Sequence, residues 1–232
     1  MWNRAELKAR GKEAFRANYW ECVVVALIFA LLIGGGAAAG RDKVHDASDT
    51  NGVSVELTED LGSMPRGMVG IFAGALVGIS AVASFVKLLV VNPLKVGCKR
   101  FFVANSEEPA QLGELLYGFR NGYGNVVVAM LLRDLFTFLW GLLLIVPAFI
   151  KAYSYRMVPY ILADNPDISG REAITLSRQM MNGHKWNTFV LDLSFIGWYL
   201  LAILTADIVG VLWTNPYVEA TDAELYKAIR DL

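Results

Sequence analysis

Residues 125–150 read NVVVAMLLRDLFTFLWGLLLIVPAFI. This run holds only two charges, Arg133 and Asp134, and exceeds the roughly 20 residues that a helix needs to cross a hydrocarbon layer. Runs 22–40, 67–91 and 187–214 are of the same kind. The whole chain, 232 residues, is 55% hydrophobic and 19% charged, with a mean hydropathy of +0.43. A soluble domain usually carries about 25% charged residues. Apolar residues gathered into blocks define an all-α, polytopic transmembrane helical bundle whose partner is the lipid bilayer. The net charge of −1 argues against nucleic acid as a partner, since that role needs a basic surface.

Lysine and arginine orient such a bundle, because basic segments stay on the cytoplasmic side. Residues 1–21 contain Arg4, Lys8, Arg10, Lys12 and Arg16; residues 92–124 contain Lys95, Lys99, Arg100 and Arg120; residues 164–186 contain Arg171, Arg178 and Lys185. Loop 41–66 has Arg41, Lys43 and Arg66 against six acids, so it is expected outside, as an insertion in a single transmembrane domain spanning 1–232. Val53, Val55 and Leu57 alternate within it, too short a signal for more than a brief strand. Basic residues ahead of an apolar run ending in Ala37-Ala38-Ala39 imitate a cleavable signal, but the long amphipathic segment before it favours an uncleaved first helix.

The stretches 125–163 and 187–217 each lie beyond a basic segment, and each is long enough to leave the cytoplasm and return. Pro147 suits the turn of the first, since proline breaks a helix yet fits the opening of the next. Thr205-Ala206-Asp207 suits the turn of the second. The expectation is about six membrane helices in three hairpins, with both termini cytoplasmic; five helices is the alternative, because the last arm is short. Phe15-Arg16-Ala17-Asn18-Tyr19, Phe119-Arg120-Asn121-Gly122-Tyr123 and Asn182-Gly183-His184-Lys185-Trp186 precede the outgoing arms. Asn92-Pro93-Leu94, Val158-Pro159-Tyr160 and Asn215-Pro216-Tyr217 fall toward the ends of the returning arms. Three copies of one unit explain this pattern; the rival explanation is coincidence among interfacial aromatics and helix-ending prolines.

Cytoplasmic amphipathic helices are expected between the hairpins. Ser169 with Glu172, and Thr221 with Glu224, have the spacing of a capping box. Ala173, Leu176, Ser177 and Met180 follow the first box on one face, and Leu225, Ala228, Ile229 and Leu232 follow the second. Leu112, Leu115, Leu116 and Phe119 form a similar stripe, as do Leu7, Gly11, Ala14 and Phe15. Such helices are expected in the headgroup plane, apolar side down.

Leu7-Lys8 through Asn18-Tyr19-Trp20, Asn92-Pro93-Leu94 with Gly97, Pro159 through Asp164, and above all MNGHKWNTFVLDLSFIGW at 181–198 resemble an uncharacterised integral membrane family, domain of unknown function 975. The resemblance covers nearly everything but loop 41–66. It implies a multi-helix protein of the bacterial cytoplasmic membrane and no assigned reaction. Arg156 stands where the resemblance would place a small polar residue.

Catalytic signatures are scarce. His45 and His184 are the two histidines, too few for a hydrolytic zinc site. Neither a phosphate-binding loop, a nucleophile elbow nor a dinucleotide fingerprint is present. Gly34-Gly35-Gly36 lies in an apolar helix and serves close packing. Cys22 and Cys98 lack metal spacing and are expected as free thiols. No catalytic residue, metal or cofactor is expected. The informative residues are charges at membrane depth: Lys87, Arg133, Asp134, Lys151, Arg156 and Asp192, with Asp207 nearby. A central charge costs about 2.5–3.5 kcal/mol in a bilayer, so these side chains should face the bundle and find partners. Neighbours on a helix point about 100° apart, so Arg133 and Asp134 are expected to pair with other helices, and Lys87 with Asp134 or Asp192. One reading of the group is ion pairs that fix helix order. Another is a polar cavity with excess positive charge, suited to a lipid headgroup or small anion. The corresponding functions are binding or transport of an amphipathic or anionic molecule, or service to an export system, against a ligand-free structural subunit with an unnamed protein partner. A membrane-embedded lipid enzyme is a third alternative.

Overall fold

The computed structural model describes residues 2–41, 85–143 and 145–231, with the side chains of 31–41, 143 and 145 left aside. Loop 41–66, its Val53–Leu57 alternation, His45 and most of run 67–91 therefore lie outside the described residues. Everything described is helix, turn or loop, and none of it is strand.

Two tiers make up the fold. The lower tier is a packed layer of helices: α1 (Arg4–Ala17), α3 (Asn92–Asn105), the short α4 (Tyr117–Arg120), α7 (Val158–Asp164), α8 (Gly170–Met180) and α11 (Asn215–Arg230). The upper tier consists of apolar arms: α2 (Tyr19–Arg41), α5 (Tyr123–Leu143), α6 (Ile145–Ser154), α9 (Lys185–Leu193) and α10 (Ile196–Leu204). By length and composition, Tyr123–Leu142 and Lys185–Leu204 are apolar enough to cross a membrane, while Tyr19–Ala30 is a shorter apolar stretch. Six crossings are not visible among these residues, because the returning arms are short. At 1.5 Å per residue the ten residues of α6 extend about 15 Å, half of a hydrocarbon core.

Three of the four amphipathic stripes turn inward, while Leu112 and Leu116 of the fourth stay exposed. Leu7 and Phe15 of α1, Ala173 and Ile174 of α8, and Leu225 and Ile229 of α11 are buried in one common core. Gly11 of α1 lies so close to α11 that a Cβ would stand 2.8 Å from the Thr221 backbone. Burial against protein satisfies these stripes as well as a headgroup layer would, and the partner helices are close by. Instead, exposed apolar surface is concentrated on the arms, at Phe138, Leu139, Leu142, Phe149, Leu200, Ile203 and Leu204.

Local signals formed as their chemistry requires, with one exception. Ser169 and Glu172 make a reciprocal capping box at the start of α8. Thr221, by contrast, caps nothing. It lies inside α11 and donates to the Tyr217 carbonyl at 2.8 Å, because the helix already begins at Asn215-Pro216. The chain folds back between α5 and α6, with Pro147 in the first turn of α6. Trp140 and Lys151 would be about 16 Å apart along a straight helix, yet the Lys151 ammonium lies 4.7 Å from the Trp140 ring centroid. The second turn is at Thr205-Ala206-Asp207, where Ala206 and Asp207 adopt φ of 50° and 66°. Between α9 and α10 the helix breaks at Ser194-Phe195, and Lys8 of α1 donates to the Ser194 carbonyl at 3.1 Å and its hydroxyl at 2.9 Å.

Two junctions between tiers share a construction. A π-helical turn, Lys87–Val91 or Gly210–Thr214, runs directly into Asn92-Pro93 or Asn215-Pro216. Proline lacks the N–H that an α-helix would use and clashes with the preceding turn, and the wider π turn makes room for it. A tyrosine from the start of another arm caps each turn: Tyr123 donates to the Leu89 carbonyl at 3.0 Å and Tyr19 to the Leu212 carbonyl at 3.1 Å. The Asn-Gly pairs ahead of α5 and α9 likewise place Gly122 and Gly183 at φ of 58° and 81°.

Candidate functional site

The junction of the two tiers holds an open cavity of about 410 Å³. From α3 come Lys95 and Lys99, one helical turn apart; from α5 come Arg133, Asp134 and Thr137; Tyr153 and Arg156 follow from α6 and the turn after it; Tyr160 stands on α7 and Asp222 on α11. Phe29, Ala152 and Pro159 supply apolar wall. Four cations and two carboxylates thus line the space.

Most of these charges are matched. Arg156 donates to both oxygens of Asp192, at 2.6 and 3.0 Å, and to both of Asp222 at 2.8 Å. Tyr153 donates to Asp192 at 2.7 Å, and Lys99 pairs with Glu219. Arg133 donates to Asp134 at 3.1 and 2.7 Å, and Asn92 approaches the same carboxylate at 3.5 Å. Lys95 has no carboxylate partner among the described residues. Burial lowers its pKa, the charges of Arg133, Lys87 and Lys99 lower it further, and only Asp134 opposes them. Burial pushes the Asp222 carboxyl up, while Arg156 and Lys99 pull it back.

Of the charges expected at membrane depth, Arg133, Asp134 and Arg156 line the cavity, and Asp192 is held at it by Arg156. Lys151 sits apart, over Trp140. Lys87 is exposed and outside the cavity, and it meets neither Asp134 nor Asp192. Arg133 and Asp134 pair with each other after all. The long Arg133 side chain reaches back to its neighbour's carboxylate, and among the described residues neither of the two makes an ion pair with another helix. Asp207 belongs to the hairpin turn. Sequence reasoning missed Lys95, Lys99, Tyr160, Glu219 and Asp222, which sit at the ends of the returning arms or on helices expected at the membrane surface. A signal did exist: Lys99 and Asp222 each stand seven residues beyond the Asn of an Asn-Pro pair.

Among the described residues, no group of three or more His, Cys, Asp or Glu could hold a metal. Cys22 and Cys98 are free and buried, and burial raises the Cys98 thiol to about 12, which leaves it protonated at neutral pH.

The fold is a helical layer carrying apolar arms, two stretches of which are long and apolar enough to cross a membrane, with a charged cavity where layer and arms meet. Residues 141–232 match the family described as protein of unknown function (DUF975), which establishes over that stretch the family that the sequence resembles. The match spans α6 to α11, and the description assigns no activity. Neither a curated protein nor a solved structure matches the chain.

Proposed function

We propose that the protein is an integral membrane protein that binds or moves an anionic or amphipathic molecule through the cavity at the junction of its tiers. One observation carries this reading. Four cations line the cavity, three of them paired with carboxylates and Lys95 without a carboxylate partner among the described residues, directly beside arms whose outer faces expose large apolar side chains. Charge in such a place suits an anion, and the apolar arms suit lipid. In this reading the three hairpins lie in the membrane, with the packed layer and both termini cytoplasmic. The exposed Trp20 and Trp186 at the starts of outgoing arms fit the headgroup level, where tryptophan collects. Descent of the hairpins from one repeated unit is supported by the paired π turns, their tyrosine caps and the two left-handed Asn-Gly glycines.

The test uses the full chain in a neutral detergent. Octanoate, octanesulfonate and octyl phosphate, below their micellar concentrations, are each titrated against octyltrimethylammonium by calorimetry. Saturable binding of at least one anion and none of the cation is expected; indifference to all four overturns the reading. The four hydrogen bonds from Arg156 to two carboxylates favour a second reading, a ligand-free structural subunit in which the charges only lock helices together. It predicts no saturable ligand at all.

A further inference from the structure

Tyr160 is 1% exposed, lines the cavity, and carries a hydroxyl with no hydrogen-bond partner among the described residues. Buried hydroxyls are nearly always paired, so an unpaired one on a residue that lines a cavity stands to gain an acceptor there. Lys99 stands 5.0 Å from the centre of the Tyr160 ring; its pair with Glu219 uses one of three ammonium N–H donors and leaves the others. Lys95, one helical turn before Lys99, is the cavity cation without a carboxylate partner among the described residues. Arg133 enters from α5 and spends one face of its guanidinium on Asp134, which leaves other N–H donors.

We propose that the cavity holds the phosphate group of a phosphate monoester, with Lys95, Lys99, Arg133 and the Tyr160 hydroxyl as its donors; this rests on the anionic-ligand reading above. The donors come from three helices and so approach from different directions. A phosphate presents three terminal oxygens to them, whereas a carboxylate presents two in one plane. A monoester also carries a charge near −2 at neutral pH, which answers several clustered cations better than a monoanion can. The nearby carboxylate Asp222 does not repel it strongly, because Arg156 holds both of its oxygens. A cavity of about 410 Å³ has room for organic substituent as well as phosphate, against Phe29, Ala152 and Pro159. The ester could be a small soluble phosphate or a lipid headgroup; both present the same group to the same donors.

The experiment extends the anion titrations to variants of the full chain in neutral detergent, adding glycerol 3-phosphate and phosphatidic acid in mixed micelles as probes. Octyl phosphate is expected to bind on the order of tenfold tighter than octanesulfonate or octanoate, and Lys95→Gln and Tyr160→Phe should each weaken phosphate binding by a similar factor. Arg178→Gln, exposed on α8 and away from the cavity lining, should change nothing. Ligand-free Tyr160→Phe should melt no lower than the parent, since only an unpaired hydroxyl is removed, so weakened binding cannot be blamed on misfolding. Binding of glycerol 3-phosphate identifies a soluble ester, and binding of phosphatidic acid alone identifies a headgroup; either supports the proposal. Equal affinity for all three octyl anions overturns it and leaves the anionic reading standing. Unchanged phosphate affinity in both variants overturns the assigned site, and failure of every anion to bind removes both readings.

Discussion

Arg156 is the single side chain on which most of the junction depends. It joins the turn after α6 to Asp192 on α9 and Asp222 on α11. Replacing it by Gln leaves two carboxylates without their cation. An exposed pair contributes a fraction of a kcal/mol and a fully buried one costs about 3–5 kcal/mol to break, so about 2–3 kcal/mol is expected for this half-buried group. Thermal unfolding in detergent measures it, and Asp222→Asn in the same chain should recover part of the loss. The loss should also depend on pH. Burial holds the Asp222 carboxyl above its usual range, and Arg156 opposes that rise. Without the guanidinium the folded-state value climbs further, so the folded chain takes up a proton that the unfolded chain releases. Stability linked to that proton increases as pH falls through the raised value toward the unfolded one. The Arg156→Gln defect should therefore shrink as pH falls from neutral toward the ordinary carboxylate range, and a constant defect would contradict this account of Asp222. Asp134 behaves differently. Its side chain is 30% exposed and that of Arg133, its sequence neighbour, is 21% exposed, so Asp134→Asn should cost only about 1 kcal/mol or less.

At the scale of elements, the decisive contacts are those where helices cross with no room for a side chain. A Cβ on Gly97 of α3 would lie 1.9 Å from the Leu115 carbonyl oxygen, and one on Gly118 of α4 would lie 2.4 Å from that of Pro93. These are backbone atoms, so relief requires moving a whole helix. Gly97→Ala is expected to cost about 2–4 kcal/mol by overpacking. Gly124→Ala, in α5 with nothing within 4 Å, should stabilise by up to about 1 kcal/mol through helix propensity. Melting temperatures of the two variants should move in opposite directions. Tyr19→Phe and Tyr123→Phe each remove a tyrosine cap from a π turn and should each cost about 1 kcal/mol. Similar losses from both would agree with the two junctions being copies of one construction.

At the scale of the whole molecule, the packing of α1 against α11 puts the amino- and carboxyl-terminal helices on one face, and the membrane reading makes that face cytoplasmic. Single cysteines at Ser54, Ser169 and Thr205, in a chain lacking Cys22 and Cys98, test it with an impermeant maleimide on whole cells. Labelling at 54 and protection at 169 are expected; the opposite pattern reverses the orientation. Labelling at 205 supports a third hairpin that crosses the membrane, and protection there means that the hairpin turns back inside it. The apolar arms were legible from composition alone, because long runs such as 125–150 have few soluble explanations. The Ser169 cap and the turn at Thr205-Ala206-Asp207 were legible for a similar reason: local chemistry decides them within a few residues. The amphipathic faces were legible as stripes, but a stripe states only that something apolar covers it, and for α1, α8 and α11 neighbouring helices provide that cover. The cavity depended on tertiary structure most of all. Lys95, Tyr160 and Asp222 are far apart in sequence, and α3, α7 and α11 had to pack beneath the arms before those side chains could meet Arg133 and Arg156. Sequence periodicity determines which face a helix buries; which helix it buries that face against is set by the packing of the entire chain.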